Sequence, residues 1–460
     1  MTGTHQIVLP MFGRSFHMMG IGGAGVSALA QLADAWGAHV TGCDNADSTY
    51  IGLVRARGID VTLGHDAAHV DGGSELVVSS AVSADHPERV RAGEVGVRTW
   101  LRGELLGELT RARSSVVVAG AHGKSTTTAM IVHAAVACGV DVSMALGGTL
   151  GPGGNVRIGA SEWFVVEGDE SDRTLLHLAA RIAVVTNIER DHHHTFATDA
   201  EVDQLFADWI GSLADDAVVV VGPGAACDRL VATVRPAQRV VRFGDDEVEL
   251  AELEALLPVP GRHNALNAAA AVAALTEVGV GAGATRAALA AFPGVGRRFE
   301  RVGSGDAVRV VDDYAHHPTE VAAALQAGRV EAGSDGRLIV IFQPHLYSRT
   351  RELHAQFGVA LAAADVVVLL PVFGAREAPV AGVTSQLIAD SLAAASGGRQ
   401  SAHVLDVAAA TGEIDTMLAL LRSGDLVMTM GAGDITKLAP RLVAALAQRA
   451  AALGSAGAPA

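Results

Sequence analysis

The sequence predicts an α/β fold built on mainly parallel sheets, and three observations carry that prediction. Glycine is abundant, 53 of 460 residues, while aromatic residues make up only 4%. Short Val/Ile/Leu runs alternate with Ala-rich stretches of helical length, the pattern of strand–turn–helix units. The alternation restarts in three blocks, and at roughly 100–200 residues per domain the chain has room for that many cores.

In the first block a strand near Phe16–Gly20 leads into a Gly-rich turn and an Ala/Leu helix reaching Trp36, with further strands near His39–Cys43 and Glu75–Ser79. The charged segment Arg102–Arg113 reads as a linking helix. The second block opens on Ser115–Ala119 and a second Gly turn and helix, continues through strands near Trp163–Glu167, Ile182–Thr186 and Ala217–Val221, and ends in a helical pair between His263 and Phe292. Pro293-Gly294-Val295-Gly296 reads as a hinge or linker. The third block has apolar runs at Val308–Val311, Leu338–Phe342, Val366–Leu370 and Leu426–Met430, separated by amphipathic stretches that suit parallel βαβ units. The Ala/Gly/Ser tail from Ala450 is expected to fray.

Composition narrows the function. The net charge of −16 repels phosphate backbones, so no nucleic-acid partner is expected, and an anionic small substrate needs a local cluster of cations and helix N-termini. No uninterrupted apolar run is long enough for a membrane helix, and the N-terminus lacks the basic start and apolar block of a signal peptide. Cys43, Cys138 and Cys227 have no metal-ligand spacing and read as buried apolar residues of a reducing compartment. A cytoplasmic location without membrane attachment follows as the expectation. Arginine supplies all but two of the 34 basic residues, a bias that genomic base composition produces; the exceptions are Lys124 and Lys437.

Six motifs carry chemistry. Gly20-Ile-Gly22-Gly23-Ala24-Gly25, between a strand and a helix, is a Rossmann-like turn whose backbone N–H groups can approach a pyrophosphate, with Asp44 at the end of the next strand placed to meet a sugar or base. The motif leaves a nicotinamide cofactor and a UDP-sugar equally open. Gly120-Ala-His122-Gly123-Lys124-Ser125-Thr126 lacks the first glycine of the common phosphate loop, position 118 being valine. It keeps the close-approach glycine, the lysine for β/γ-phosphates and the hydroxyl for Mg²⁺, and so predicts ATP binding. The acidic run Glu167-Gly-Asp169-Glu170-Ser-Asp172 ends a strand, which suits Glu167 as a metal ligand. Thr186-Asn187-Ile-Glu189-Arg-Asp191-His192-His193-His194 follows the next strand, and three successive histidines cannot all face one metal. In the third block, Asp312-Asp313-Tyr314-Ala315-His316-His317-Pro318 and Gln343-Pro-His345-Leu-Tyr347-Ser-Arg349-Thr-Arg351 follow strands and offer arginines for a carboxylate or phosphate.

Taken in order, these motifs resemble the Mur ligases of peptidoglycan synthesis over nearly the whole chain, with Gly261-Arg262-His263-Asn264, Arg297-Arg298-Phe299-Glu300 and Gly431-Ala-Gly433-Asp434 adding to the match. The Asp-Asp-Tyr-x-His-His-Pro-Thr-Glu signature points to the muramate-attacking members. The resemblance implies three domains: a Rossmann-like UDP-sugar domain over 1–110, a P-loop ATP domain over 111–294 and a Rossmann-like, mobile amino-acid domain over 295–460. It implies that Gly22, Gly23, Ala24 and Gly25 hold the UDP pyrophosphate, with Asp44, Ser80 and Asn187 also on the substrate. Gly120, His122, Gly123, Lys124, Ser125 and Thr126 would bind ATP, with Mg²⁺ at Ser125, Glu167 and His192; a histidine on Mg²⁺ rests on the resemblance alone, since that ion prefers oxygen. His263, Asn264 and Asp313 resemble adenine- and ribose-side contacts, and Arg298 would reach the γ-phosphate. Tyr314, His316 and Arg349 would line the amino-acid and muramate-carboxylate site.

The implied reaction joins L-alanine to the carboxylate of UDP-N-acetylmuramate through an acyl phosphate, a step of cell-wall biogenesis and hence of cell shape and division. A monomer or weak homodimer is expected. Lys124, Glu167, His192, Arg298, His316 and Arg349 would carry the chemistry by positioning and charge neutralisation. Some relatives bind metal through a carbamylated lysine, but the implied ATP domain has no lysine besides Lys124, which favours the alanine-adding or peptide-recycling branch. Departures from the pattern are Leu346 where many relatives have arginine, Arg190 for a usual proline, Ala315 for a glycine, and a segment between Phe243 and Pro258 short enough to suggest a trimmed small sheet. The nearest rival is a recycling ligase that adds a preformed tripeptide to the same UDP-sugar. More distant are an NAD-dependent dehydrogenase using the first Gly turn, and a nucleotide-switch module without acceptor chemistry.

Overall fold

Three sheets organise the chain. The computed structural model describes residues 9–79, 82–146, 154–191, 195–375, 377–398, 402–405 and 414–456. The first sheet contains β1 (Ser15–Met19), β2 (His39–Asp44), β3 (Asp60–Leu63), β4 (Glu75–Val78) and β5 (Thr99–Leu101), in the order β3-β2-β1-β4-β5 and parallel throughout. The second contains β6 (Ser114–Ala119), β7 (Ser143–Ala145), β8 (Val156–Arg157), β9 (Trp163–Glu167), β10 (Ile182–Val185), β11 (Val218–Val221) and β12 (Arg239–Arg242). Its order is β12-β11-β10-β6-β9-β7-β8, and only β8 runs antiparallel to its neighbour. The third contains β13 (Glu300–Gly305), β14 (Val308–Asp313), β15 (Leu338–Phe342), β16 (Val366–Leu369), β17 (Ala402–Val404) and β18 (Leu426–Met430), in the order β13-β14-β18-β15-β16-β17.

By its contacts the chain forms two compact units. One comprises Met1–Arg190, Thr198–Glu249 and Leu266–Ala291 and holds the first two sheets; the other comprises Asp191–Ala197, Leu250–Ala265 and Phe292–Ala460 and holds the third.

Each sheet has a central parallel strand sealed on both faces, which is why its sequence reads as an unbroken apolar run. In β6, Val116, Val117, Val118 and Ala119 are all fully buried, each valine contributing about 1.5–3 kcal/mol of transfer free energy. The strand order reverses beside β1 in the first sheet, beside β6 in the second and beside β14 and β15 in the third. Ligands enter open α/β sheets at such carboxyl ends. The first two Gly motifs follow β1 and β6 there, capping α1 (Ala24–Ala35) and, after α2 (Thr49–Ala56), α3 (Pro87–Val95) and α4 (Arg102–Arg111), the phosphate-loop helix α5 (Lys124–Ala137).

Several expectations need correction. The third block is not wholly parallel: β13 pairs antiparallel with β14 through Asp306 and Ala307, both at positive φ. That is the conformation of a two-residue hairpin, which glycine or asparagine would have announced. The tail continues as helix to Ala456, because Leu442 and Leu446 bury fully and carry the helix onward. The trimmed small sheet that the sequence suggests between Phe243 and Pro258 needs no such correction: the described residues there form the helix Glu247–Leu256 and no strand, with Leu250 and Leu253 buried. The expected hinge or linker, residues 293–296, follows directly on the break between the units at Ala291/Phe292 and is a tight turn, Gly294 at φ +88° and the Arg298 N–H donating to the Val295 carbonyl at 3.1 Å. Among the cysteines, Cys227 and Cys43 are buried as expected, Cys43 among Met19, Val70, Leu76 and Val78 but with histidines and a carboxylate at its sulfur, and Cys138 is only half-buried.

Candidate functional site

The phosphate loop is shaped by two glycines that no other residue could replace. Gly120 has φ +135°, and a Cβ there would overlap the Thr186 hydroxyl and lie 2.8 Å from the Asn187 carbonyl oxygen. Gly123, at φ +82°, caps α5, and a Cβ there would overlap the Asn267 amide. The backbone thus turns sharply enough to present the first N–H groups of α5, from Lys124 to Thr126, as an anion site. Asn187 clamps the turn: its Oδ1 accepts from the His122 N–H at 3.0 Å and its Nδ2 donates to the His122 carbonyl at 2.9 Å. The Thr186 hydroxyl donates to the same carbonyl at 2.6 Å, and His122 Nε2 lies 3.0 Å from Glu189. Asn187, expected on the sugar substrate, therefore also orders the loop.

Lys124 folds back over this loop. Its Nζ donates to both oxygens of buried Glu170, at 3.1 and 3.0 Å, and to the Ala121 carbonyl at 3.2 Å. Burial alone would lower the ammonium's pKa; the carboxylates of Glu170, Asp169 and Glu167 outweigh it and hold the group above its ordinary value, so Lys124 stays charged. Ser125 Oγ donates to Glu167 Oε1 at 2.5 Å, which places a hydroxyl and a carboxylate at one point beside the helix N-terminus. Those hard oxygen donors suit Mg²⁺. Ser80 and His192 lie outside the described residues.

At the first Gly turn, the Gly22 N–H donates to Asp44 Oδ2 at 2.8 Å and the Gly22 carbonyl accepts from the Ser48 hydroxyl at 2.9 Å. Asp44 thereby braces the turn from β2. Buried Asn155 donates to the Ala24 carbonyl, and Gly25 packs so closely on Arg102 that a Cβ would lie 2.9 Å from its guanidinium. The N–H groups of Gly23, Ala24 and Gly25 open α1.

In the second unit the functional side chains converge at the ends of β14 and β15. Asp313 accepts from the Phe299 and Ala315 N–H groups, both at 2.8 Å. Burial raises its pKa to about 6 against the opposing pull of Arg298. Arg297 and Arg298 lie 4.9 and 5.0 Å from the Tyr314 ring centre, and Arg298 reaches Glu320 at 3.5 Å. His316 Nδ1 is 3.0 Å from the Tyr314 carbonyl. Burial lowers His316 to about 4 and, helped by Arg298, His263 likewise. Asn264 donates to the Pro260 carbonyl at 2.7 Å in the same unit.

Arg349 is 4% exposed and donates from Nη2 to Asp191, itself 6% exposed, at 2.7 Å; Nη1 lies 3.3 Å from His345. Its Nε is buried without a hydrogen-bond partner among the described residues. Leu346, where arginine was expected, holds φ +70° at the start of the Tyr347–Leu361 helix, and Arg190 pairs with Asp199 at 3.0 Å. Ala315 has no positive φ, so the missing glycine is no loss.

The residues that sequence reasoning passed over are Glu170, Asn267, Asp191 and Glu320. Glu320 had a legible signal: at the third position after His317 its carboxylate closes a capping box, accepting from the His317 N–H at 3.3 Å and the His316 N–H at 3.0 Å. Asn267 and Asp191 had none, being placed only by the fold.

Comparison with known proteins agrees along the chain. The family description "Mur ligase family, catalytic domain" matches residues 15–114, and "Mur ligase, glutamate ligase domain" matches residues 297–433. A UDP-N-acetylmuramate–L-alanine ligase of Kineococcus radiotolerans is 43% identical over 94% of this chain and 96% of its own length. One from Mycobacterium sp. (strain JLS) is 40% identical over 95% and 96%. Among solved structures, the UDP-N-acetylmuramate-alanine ligase MurC of Thermotoga maritima superposes with a TM-score of 0.72 at 25% identity, covering 95% of this chain and 99% of that one.

Proposed function

This chain belongs to the Mur ligase family, and from that premise we propose that it joins L-alanine to the carboxylate of UDP-N-acetylmuramate at the expense of ATP, in peptidoglycan precursor synthesis. The observation that carries the reading is identity of 40% or more to alanine-adding ligases across about nineteen-twentieths of the chain. The geometry agrees with it. An amide forms in water only if the carboxylate is first activated, so a phosphoryl group must be held while charge on it is neutralised. Lys124 supplies a fixed ammonium, and the N–H groups opening α5 supply oriented dipoles. Ser125 and Glu167 would hold Mg²⁺, which when bound neutralises phosphate oxygens.

Activation places phosphate on the muramate carboxylate and leaves ADP; attack by the uncharged amine of alanine then forms the C–N bond and expels inorganic phosphate. In the second unit, the free Nε–H of Arg349 is a donor available to a carboxylate, and neutral His316 can hydrogen-bond without adding charge. No helix among the described residues is long and apolar enough to cross a membrane. The same reading includes a cytoplasmic location, a monomer or weak homodimer, and domains at 1–110, 111–294 and 295–460, a division supported by one sheet falling in each range.

The test is phosphate release with ATP, Mg²⁺ and UDP-N-acetylmuramate across single amino acids and a preformed tripeptide. Alanine-dependent release with the matching UDP-sugar product is expected. Release with the tripeptide alone would replace this reading by the recycling one, and release without any acceptor would overturn both.

A further inference from the structure

The first sheet carries a second constellation that the ligase reaction leaves unused. His17 on β1, Cys43 on β2, His69 on the short helix Ala67–His69 and Glu88 in the first turn of α3 bring one ligand atom each to within 4.8 Å of one another. His17 Nε2 is 3.4 Å from Cys43 Sγ, Cys43 Sγ is 3.2 Å from Glu88 Oε1, and Glu88 Oε1 is 2.9 Å from His69 Nδ1. A tetrahedral Zn²⁺ with bonds of about 2.0–2.3 Å separates its ligand atoms by roughly 3.3–3.8 Å, so these four need only small shifts to accept one.

We propose that His17, Cys43, His69 and Glu88 form a structural zinc site that ties β1, β2 and the start of α3 together beneath the first Gly turn. Two features of the surroundings suit a bound ion. The first is charge. Cys43 and Glu88 are wholly buried, and the positive charge that such a carboxylate needs can come from the histidines around it, His65, His69 and His86, or from a bound metal ion. Zn²⁺ with one thiolate and one carboxylate is neutral, and the Cys43 proton leaves to solvent on binding. The second is orientation. His17 Nδ1 lies 2.9 Å from the Thr41 hydroxyl, which leaves Nε2 facing Cys43, the outer contact that metal-bound histidines use. Glu88 Oε1 is further fixed by the Asp66 N–H at 3.2 Å. His65 Nδ1 lies 3.1 Å from Cys43 Sγ and 3.3 Å from Glu88 Oε2.

A sulfur–nitrogen donor set with one oxygen suits Zn²⁺ and not Mg²⁺, which separates this site chemically from the phosphate loop. Burial lowers the His17 pKa, keeping the imidazole in the uncharged form that a metal needs. Linear spacing conceals the site because its ligands come from two strands, a short helix and a longer one.

The test uses the full-length enzyme purified without chelators and without ATP. Mass spectrometry of metals should find zinc near one equivalent per chain. After chelator dialysis, Co²⁺ should give the absorption of a tetrahedral site with a thiolate-to-metal charge-transfer band. A Cys138→Ser/Cys227→Ser variant, with Cys43 as its sole thiol, should keep that band, and Cys43→Ser should lose it. Should Cys43→Ser fail to fold, the sole-thiol variant still decides, since its spectrum reports Cys43 alone. Absence of zinc together with a Co²⁺ spectrum lacking the thiolate band in the sole-thiol variant would overturn the proposal, leaving a hydrogen-bonded cluster. Zinc retained without that band would overturn it equally, as surface binding.

Discussion

The phosphate loop of the first unit and the Arg349 cluster of the second both bury charge, but they are built by different means. The loop is local: eight consecutive residues from Gly120 to Thr127, bent by two glycines, with a helix N-terminus doing most of the electrostatics. The cluster is assembled from afar. Asp191 and Arg349 stand 158 residues apart, Arg349 on the helix Tyr347–Leu361 that follows β15 and Asp191 on the separate segment Asp191–Ala197 of the same unit. A local site fails chemically when altered while its fold survives; a dispersed one is expected to fail structurally first.

The largest expected effect breaks the loop side. Lys124→Arg should lower kcat/KM on the order of 10⁴-fold, since a planar guanidinium cannot sit where the compact Nζ donates to Glu170 and the loop carbonyls. The urea unfolding midpoint should move little. Near-normal turnover in that variant would remove the loop from the mechanism.

On the cluster side the order reverses. Arg349→Met removes the guanidinium paired with buried Asp191, and breaking a buried pair costs about 3–5 kcal/mol of stability. Combining it with Asp191→Asn should recover a large part of that loss in the urea midpoint without restoring turnover. If the single variant unfolds like the wild type, the pair is not the structural element described above.

What was legible in the sequence follows the same division. The loop and the Gly22–Gly25 turn were readable because glycine, lysine and serine at fixed spacing have one common use between a strand and a helix. The strand ends of the third sheet were readable as locations, since apolar runs announce strands. Their pairings were not: nothing in Asp191 signals Arg349, and nothing in Glu170 signals that it would hold Lys124. The β13–β14 hairpin escaped because Asp306 and Ala307 adopt positive φ without the glycine that usually marks it. The His17–Glu88 cluster escaped because its members share no periodicity.

Acid should also distinguish the units. In the second unit His263 and His316 are held near 4 by burial, against 6.5 in the unfolded chain, so between those values the unfolded state binds more protons and stability falls as pH drops. His345, also lowered to about 4 by burial, acts in the same direction. Asp313 opposes them: raised to about 6, it takes up a proton in the folded unit that the unfolded chain releases down to 3.8. The three histidines outnumber it, and with His345 discounted for its partial exposure a net loss of about 5 kcal/mol is expected from pH 6.5 to 4. His316→Gln should flatten the acid arm of a urea-midpoint profile, and Asp313→Asn should steepen it. The reverse order would mean that Asp313 is ionised throughout.

The smallest effect sharpens the contrast within the first unit itself. Ser48 caps α2 by accepting from the Ile51 N–H at 3.2 Å and donates to the Gly22 carbonyl at 2.9 Å, so one hydroxyl ties a helix start to the first Gly turn. Ser48→Ala should cost about 1 kcal/mol, the ordinary worth of such a cap. Because the turn is backbone-built, that loss should raise KM for the UDP-sugar by roughly 5-fold and leave KM for ATP unchanged. Equal shifts in both constants would mean that the two Gly turns respond as one element and that the local character of each is overstated. A shift in the UDP-sugar alone would show that a backbone site can be tuned through a single side chain without disturbing its counterpart on the neighbouring sheet.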